Sequence, residues 1–283
     1  MGAATVARSG GDYSDPVAAM SDLASWCPSP SAAAPCVLHI LPGTYSLGAG
    51  HLTMASHVDL EGSGEGITTI TASGSTSPGT ATIMGAAAAE LRHLTVENTG
   101  GAPYATALYN PSRLFQMTAR AAGGTTANTA ILSESSPYSF ERIDEVTARV
   151  GGGSPANTGI AIHHLPSRPR LLRLTVATAS SSAADTALAT VSSALDIVES
   201  NITGGIGADL HGGDTILDDV TVNGAITTAL TGSLTVQHSR LNGPIGAGSF
   251  NISIGASQID SLGAGNIYTC TEVYRSATPT TCP

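Results

Sequence analysis

Aliphatic and polar residues alternate along this chain in a short pattern that returns eight times. Seven-residue windows beginning at Leu91, Leu114, Ile143, Leu171, Ile197, Leu217, Val236 and Ile254 align without a gap. They read LRHLTVE, LFQMTAR, IDEVTAR, LLRLTVA, IVESNIT, LDDVTVN, VQHSRLN and IGASQID. The first and sixth positions are small or aliphatic in all eight, the fourth is aliphatic in five and serine in three, and the fifth is threonine in five. Successive starts lie 23, 29, 28, 26, 20, 19 and 18 residues apart. No helical repeat drifts in this way while keeping a strand-like alternation.

A second register follows each window: Ala105-Thr-Ala-Leu, Asn128-Thr-Ala-Ile, Asn157-Thr-Gly-Ile, Asp185-Thr-Ala-Leu, Ile206-Gly-Ala-Asp and Ile226-Thr-Thr-Ala. Glycine corners such as Gly123-Gly124, Gly151 to Gly153 and Gly204-Gly205 separate the two registers. A strand unit that cannot bury its own apolar face must stack on copies of itself, and loops of varying length leave such a stack sideways. The prediction is an all-β, single-domain parallel β-helix of about ten or eleven coils, right-handed by the rule for parallel crossovers. At about 4.8 Å per coil it forms a rod on the order of 50 Å long.

Both ends of such a rod need covering, because open strand edges template aggregation. Asp15 can cap a helix and Pro16 suits its first position, and Val17, Met20, Leu23 and Ala24 fall on one face. A short capping helix over about 16–26 follows. The division expected is an N-terminal cap over 1–36, the β-helix over 37–265 and a C-terminal cap over 266–283. Four cysteines form two close pairs, Cys27 with Cys36 and Cys270 with Cys282. Their spacing favours two local disulfides over a metal site, for which His39 beside Cys36 is an isolated ligand candidate, and disulfides imply an extracellular or cell-surface protein.

Composition narrows the classes. In 283 residues, 41% are hydrophobic and 11% charged, too apolar for a disordered chain, and no run is long enough to cross a bilayer. The formal charge is −10 and every basic residue is arginine, which makes nucleic acid an unsuitable partner. Met1 to Gly11 has no apolar core of signal-peptide length, and Met1 reads as the start of an expressed fragment.

The opening Val6-Ala-Arg-Ser-Gly-Gly-Asp-Tyr, then Leu38-His-Ile-Leu-Pro-Gly-Thr-Tyr and Val58-Asp-Leu-Glu-Gly-Ser-Gly-Glu-Gly-Ile-Thr-Thr-Ile, resembles the start of the pectin-methylesterase-like members of the pectate lyase superfamily. The resemblance implies the parallel β-helix and an acidic-polysaccharide enzyme, with two aspartates, glutamines and an arginine on one face. This chain departs from that set, since Gln116, Gln237 and Gln258 have no matching aspartate beside them. Arg168-Pro-Arg-Leu-Leu-Arg173 has the ingredients of a pectate lyase motif in the wrong spacing. Asn157-Thr-Gly, His211-Gly-Gly and Asp218-Asp219 echo polygalacturonase motifs out of order.

If the fourth and sixth window positions point inward, a two-residue period turns the third, fifth and seventh outward. The third carries His93, Gln116, Glu145, Arg173, Glu199, Asp219 and His238. The seventh carries Glu97, Arg120 and Arg149, with a threonine column between them that continues to Arg240. Two readings follow. One is a salt ladder, in which Arg173 neutralises Glu145 and Glu199 while Arg120 and Arg149 serve Glu97. The other is a glycan groove in which Glu145, Arg173, Glu199 and Asp219 are the catalytic candidates, and His93, Glu97, Gln116, Arg120, Arg149, His238 and Arg240 contact the ligand. Paired carboxylates such as Glu199 and Asp219 can share acid and nucleophile roles or, in a lyase, hold calcium. Any groove should lie beside the long loops near 121–128 and 150–158. His163-His164 reads as a surface loop, and charged columns spoil the threonine plane that ice binding needs.

The sequence thus points to a secreted or surface-displayed β-helix module, non-catalytic, structural or adhesive, and polysaccharide-contacting, with no cofactor. A divergent polysaccharide lyase or glycoside hydrolase, and a phage tail-spike-like or filament component, are the alternatives.

Overall fold

A segment that is apolar on one side only must stack, and in this chain it stacks in three directions. The computed structural model describes residues 2–134, 142–151, 156–164, 168–179, 185–246, 248–275 and 278–280, the last few (274, 275 and 278–280) as backbone. The first ladder of parallel strands runs through Gly2–Val6, Cys36–Ile40, Val58–Gly62 and Glu90–Arg92 to 113–115, 142–144, Arg170–Leu172 and 196–198. The second runs through Gly43–Ser46, Thr68–Ala72, Thr95–Asn98, 118–121, 147–150, Thr175–Thr178 and 201–203, and further on through 221–223, 240–242 and 258–259. The third joins Leu52–Thr53, Ile83–Met84, Tyr104–Tyr109, Ala127–Glu134, Ala156–His163, Asp185–Val191 and 206–211. Each coil visits the three in turn, and the fold is a right-handed parallel β-helix.

Register turns the interior into columns. Leu60, Leu91, Leu114, Ile143, Leu171 and Ile197 are successive partners on the first ladder, and all are buried. Val96, Ala119, Ala148, Val176 and Ile202 form the matching column on the second. Each Leu or Ile so enclosed contributes roughly 1.5–3 kcal/mol against exposure. Where the repeat falls to 20 residues and below, the loops shrink to single corner residues such as Glu199 and Asp219, and 195–237 winds through successive coils with strand pairing almost throughout.

The serines at the fourth window position have a physical reason. Ser200, Ser239 and Ser257 are buried. Each donates to the carbonyl two residues back, Val198, Gln237 and Gly255, at 2.7, 2.5 and 2.6 Å. Each also accepts a backbone N–H from the preceding coil, from Leu174, Val220 and Ser239. A hydroxyl thus bridges two coils where other windows place an aliphatic group.

A second polar column enters the third ladder. Asn128 Nδ2 donates to Asn157 Oδ1 at 2.8 Å, and Asn157 Nδ2 donates to Asp185 Oδ1 at 2.7 Å. All three are buried, so this column is affordable only because each amide hands its donor to the next. Beside it, Gly100 has φ +73, and a Cβ there would lie 2.1 Å from the Gly123 carbonyl carbon of the adjacent coil. The second register places Ile206 one residue out of line, since Ile206 pairs with Thr186 rather than with Asp185.

The predicted single helix is two. Pro16–Ser21 is capped by Asp15, whose carboxylate accepts from Val17 and Ala18, and Leu23–Trp26 follows. Asp22 breaks the run because its carboxylate is bonded to Tyr13 and Ser25. Ala19 is fully buried, and Val17, Met20 and Trp26 pack on the core. Stacking extends beyond both expected boundaries: Gly2–Val6 is already a rung, and Ile267–Thr271 continues the parallel pairing past residue 265. Val273–Arg275 then pairs antiparallel with Thr278–Thr280. The Cys27–Cys36 disulfide ties the helical segment to the first ladder. Cys270 is disulfide-bonded, while Cys282 lies outside the described residues.

The buried amide column yields a prediction. Asn157→Ala removes one bond from the buried Asn128 amide, which keeps its bond to the Gly151 carbonyl, and one from the buried Asp185 carboxylate, and should cost about 1–3 kcal/mol, read as a lowered urea midpoint. Asn223→Ala, in an exposed row, should stay within about 0.5 kcal/mol. Equal effects would mean that the buried column carries no special share of the stability.

Candidate functional site

The third window position is neither strand nor loop but a corner. His93, Gln116, Glu145, Arg173, Glu199, Asp219 and His238 all have φ between 44° and 55°, the left-handed region that costs a non-glycine residue roughly 1–2 kcal/mol. This single residue bends each coil from the first ladder into the second. The simple two-residue period therefore fails there: second-position residues such as Arg92 also face outward, and the outward run restarts after the corner.

Because the corners stack, their side chains form one hydrogen-bonded row along the rod. His93 Nε2 lies 3.0 Å from Gln116 Oε1, which can only accept, so this nitrogen donates. Gln116 Nε2 donates to Glu145 Oε2 at 2.6 Å, and Arg173 Nε donates to Glu145 Oε1 at 3.0 Å. Arg173 also reaches the buried carboxylate of Asp144 at 2.6 Å and Glu199 at 4.0 Å. Arg142 makes a further ion pair with Asp144. At the other end, His93 Nδ1 stands 3.6 Å from Glu61 Oε1 and His39 Nδ1 stands 3.4 Å from Glu61 Oε2.

One coil earlier, the chain does not continue straight into the second ladder. The segment 62–66 crosses the corner and covers two rungs below it, where Gly66 N donates to Thr95 Oγ1 at 3.0 Å and the Thr118 hydroxyl donates to Glu65. A side chain at Gly62 would put a Cβ 2.4 Å from the His93 carbonyl oxygen, so glycine permits the crossing. Thr95 and Thr118, expected on the outer face, are consequently buried. Between this strap and the corner row opens a groove of about 500 Å³ lined by Glu61, Gly62, Ser63, Gly64, Glu65, His93, Gln116 and Glu145.

Two of the groove's carboxyls, Glu145 and Glu61, are held below their ordinary range. The Gln116 amide is the main influence lowering Glu145, burial opposes it, and Arg173 adds to the lowering. Burial pushes Glu61 upward, but Arg92, with His39 and His93, outweighs it and keeps the carboxyl below its ordinary range. Arg92 sits among three carboxylates, 3.2 Å from Asp59, 3.1 Å from Glu61 and 2.9 Å from Glu90.

The predicted residues therefore divide. His93, Gln116 and Glu145 meet in the groove, with Arg173 beside them. Glu199 touches only the far side of Arg173, and Asp219 occupies the next corner without an ion pair among the described residues. Glu97 and Arg120 pair at 2.9 Å on the second ladder. Arg149 is exposed one rung further along, where its register partner is Arg120. His238 pairs with Asp218 at 2.9 Å and Arg240 bonds Asn242 at 2.9 Å, several coils away. His163 lies 3.4 Å from Glu134, and His164 is exposed at φ 54.

Two groove residues went unread in the sequence, Glu61 and Glu65, as did Arg92, which holds Glu61 from outside the groove. Aligning Leu60 with Leu91 would have found Glu61 and Arg92, since that is their register. The wall is the strap 62–66, not the loop near 121–128, which leaves the rod after the second ladder and away from the corner. Residues 152–155 of the other expected loop lie outside the described residues. Among the described residues no group of three or more His, Cys, Asp or Glu is arranged to hold a metal ion.

These features define a right-handed parallel β-helix with a polar groove along one corner. No protein-family model matches the sequence, and no curated protein matches it. Solved structures do. ORF18 of Geobacillus virus E2 is similar over 96% of this chain, with 11% identity and a TM-score of 0.64. This chain spans 60% of the length of that protein. The A-module of mannuronan C-5 epimerase AlgE4 from Azotobacter vinelandii is similar over 95% of this chain and 92% of its own, with 11% identity and a TM-score of 0.52. A pectin methylesterase from carrot aligns over 95% of this chain and 87% of its own, with 12% identity and a TM-score of 0.47. At such identities the likeness to the first two establishes the fold alone.

The depressed carboxyls set a pH dependence. A lowered folded-state value means stability that is fully present above the ordinary value of 4.5 and lost as pH falls through the folded value. Urea midpoints should be flat above about pH 5 and decline below it. Glu145→Gln should flatten part of that decline; curves that run parallel for both proteins would show that Glu145 contributes nothing.

Proposed function

We propose that this protein is a secreted or surface-displayed β-helix rod that holds a polysaccharide along its corner groove, as a structural or adhesive element, without chemically altering it. The observation that carries this reading is the row from Glu61 through His93, Gln116 and Glu145 to Arg173. It supplies fixed donors and acceptors at successive coils, parallel to the rod, as a linear polymer requires. Fixed side chains lower the ordering cost of binding.

Charge narrows the ligand. Glu61, Glu65 and Glu145 line the groove, no arginine does, and the chain carries −10 overall. A densely acidic polymer would be repelled, so the polymer is neutral or bears amino sugars. The non-catalytic part is supported by geometry and charge together. Glu61 and Glu145 are each bonded to a fixed donor, Arg92 and Gln116, and both lie below their ordinary range, the opposite of the raised carboxyl that acid-assisted glycoside hydrolysis uses. The disulfide accords with an oxidising, extracellular setting, and one neighbour of the same fold is named for a polysaccharide, mannuronan.

One observation favours a second reading as a carbohydrate-active enzyme. His93 stands between Glu61 and Gln116 on the groove floor, within reach of a bound sugar. A single experiment separates the two. Purified protein is passed over cellulose, xylan, mannan, chitosan, polygalacturonate and alginate, with and without calcium, and the fluids are assayed for reducing ends and unsaturated products. Retention is expected on at least one neutral or amino-sugar polymer, weakened about tenfold by Gln116→Ala, with no product formed. Product that disappears in His93→Ala would establish the enzyme, and the absence of retention on every polymer would refute the binding role.

A further inference from the structure

On the second ladder, past the groove, the outward row changes character. Thr203, Asn223 and Asn242 occupy successive coils, with Asn201 beside Thr203 on the first, and they are joined side chain to side chain. Asn223 Nδ2 donates to Thr203 at 3.1 Å, and Asn242 Nδ2 donates to Asn223 at 2.8 Å. Arg240 Nε donates to Asn242 Oδ1 at 2.9 Å. The row ends at a depression of about 310 Å³ lined by Arg240, Leu241, Asn242, Gln258, Ile259 and Asp260.

Two coils meet at this end. Arg240 pairs with Gln258 and Leu241 with Ile259, the register slips by one residue before Pro244 pairs with Ser261, and Asn242 and Asp260 line the same depression. The first coil offers donors, namely the terminal guanidinium nitrogens of Arg240 and the second N–H of Asn242. The next offers acceptors, the Gln258 carbonyl and the Asp260 carboxylate, and among the described residues neither side chain is engaged in a hydrogen bond. Asn242 is oriented by the bond it donates to Asn223 of the coil before, and Asn242 in turn holds Arg240. A group that both donates and accepts at two adjacent atoms satisfies donors on one side and acceptors on the other, and a vicinal diol of a sugar ring is such a group.

We infer that Arg240, Asn242, Gln258 and Asp260 form a second sugar subsite, engaged by the same glycan chain that lies in the corner groove. The inference rests on the groove reading above and adds to it the polymer's direction and its second anchor. Arg240 lies four coils beyond Glu145, about 19 Å at the spacing of paired strands. A hexasaccharide parallel to the rod spans that distance and a disaccharide does not. The two contacts then act as linked sites, where the second binding step is intramolecular.

The test titrates labelled protein with cello-, xylo-, manno- and glucosamine oligomers of two and of six residues. Nuclear magnetic resonance follows the His93 ring in the groove and the Arg240 Nε and Asn242 side-chain signals in the array. For at least one series, the hexasaccharide should move both sets with a single saturation curve and bind about tenfold more tightly than its disaccharide. Gln258→Ala combined with Asp260→Ala should remove that gain; both residues are on the rod surface, and an unchanged thermal melt confirms the fold. If His93 responds and the array does not, or the two saturate separately, the second subsite is refuted and the groove stands. A response at the array alone refutes the groove reading, and silence at both refutes both.

Discussion

Parallel stacking in register is the constraint on which the rest of the molecule depends. Every residue sits on its counterpart from the coil before, about 4.8 Å away, so each column must be stable as a pile of similar groups. Aliphatic columns satisfy this by packing, and the Leu and Ile of the first ladder do so without interruption. Polar columns satisfy it only if each member both gives and takes, as Asn128 and Asn157 do before the column ends on Asp185. A charged column is eased by alternating, and the groove end of the corner row does this: glutamine separates His93 from Glu145, and Arg173 separates Glu145 from Glu199. Where like charges do adjoin, as Glu199 with Asp219 and Arg120 with Arg149, the side chains are exposed to solvent.

The corner itself is an unfavourable backbone conformation repeated coil after coil, and the hydrogen bonds on either side hold it there. Its effect is geometric. A left-handed residue throws its side chain off the edge of the rod rather than onto a face, so long polar groups from successive coils come together in a line. The strap 62–66 then closes one side of that line and turns a ridge into a groove. Sequence, backbone strain and site are linked here by one position in a seven-residue pattern.

The fold was legible in the sequence because column identity leaves a direct trace: Leu91, Leu114, Ile143 and Leu171 are alike because they touch. The site was legible only in part. His93, Gln116, Glu145 and Arg173 could be read as one row from the repeat, but the strict two-residue period placed Thr95 and Thr118 on the outer face, where the strap in fact buries them. Glu61 and Glu65 belong to a coil outside the eight windows, and nothing local in Gly62-Ser-Gly-Glu-Gly tells where that segment crosses. The serines at the fourth position look like interruptions of an apolar column until the backbone groups they bridge are known.

Stability and function share the same atoms in this groove, and that bears on what it can do. Protonating Glu145 removes the charge that Arg173 faces and weakens the acceptor of the Gln116 amide. Protonating Glu61 does the same to Arg92, which is already committed to Asp59 and Glu90. An acid catalyst at either position would have to spend part of each cycle in the form that loosens the corner row. A binding site has no such conflict, because the ionised, bonded state that keeps the coils aligned is also the one that presents fixed acceptors to a sugar. The proposed binding role is in this sense the one that asks nothing of the row beyond the state that stacking already requires.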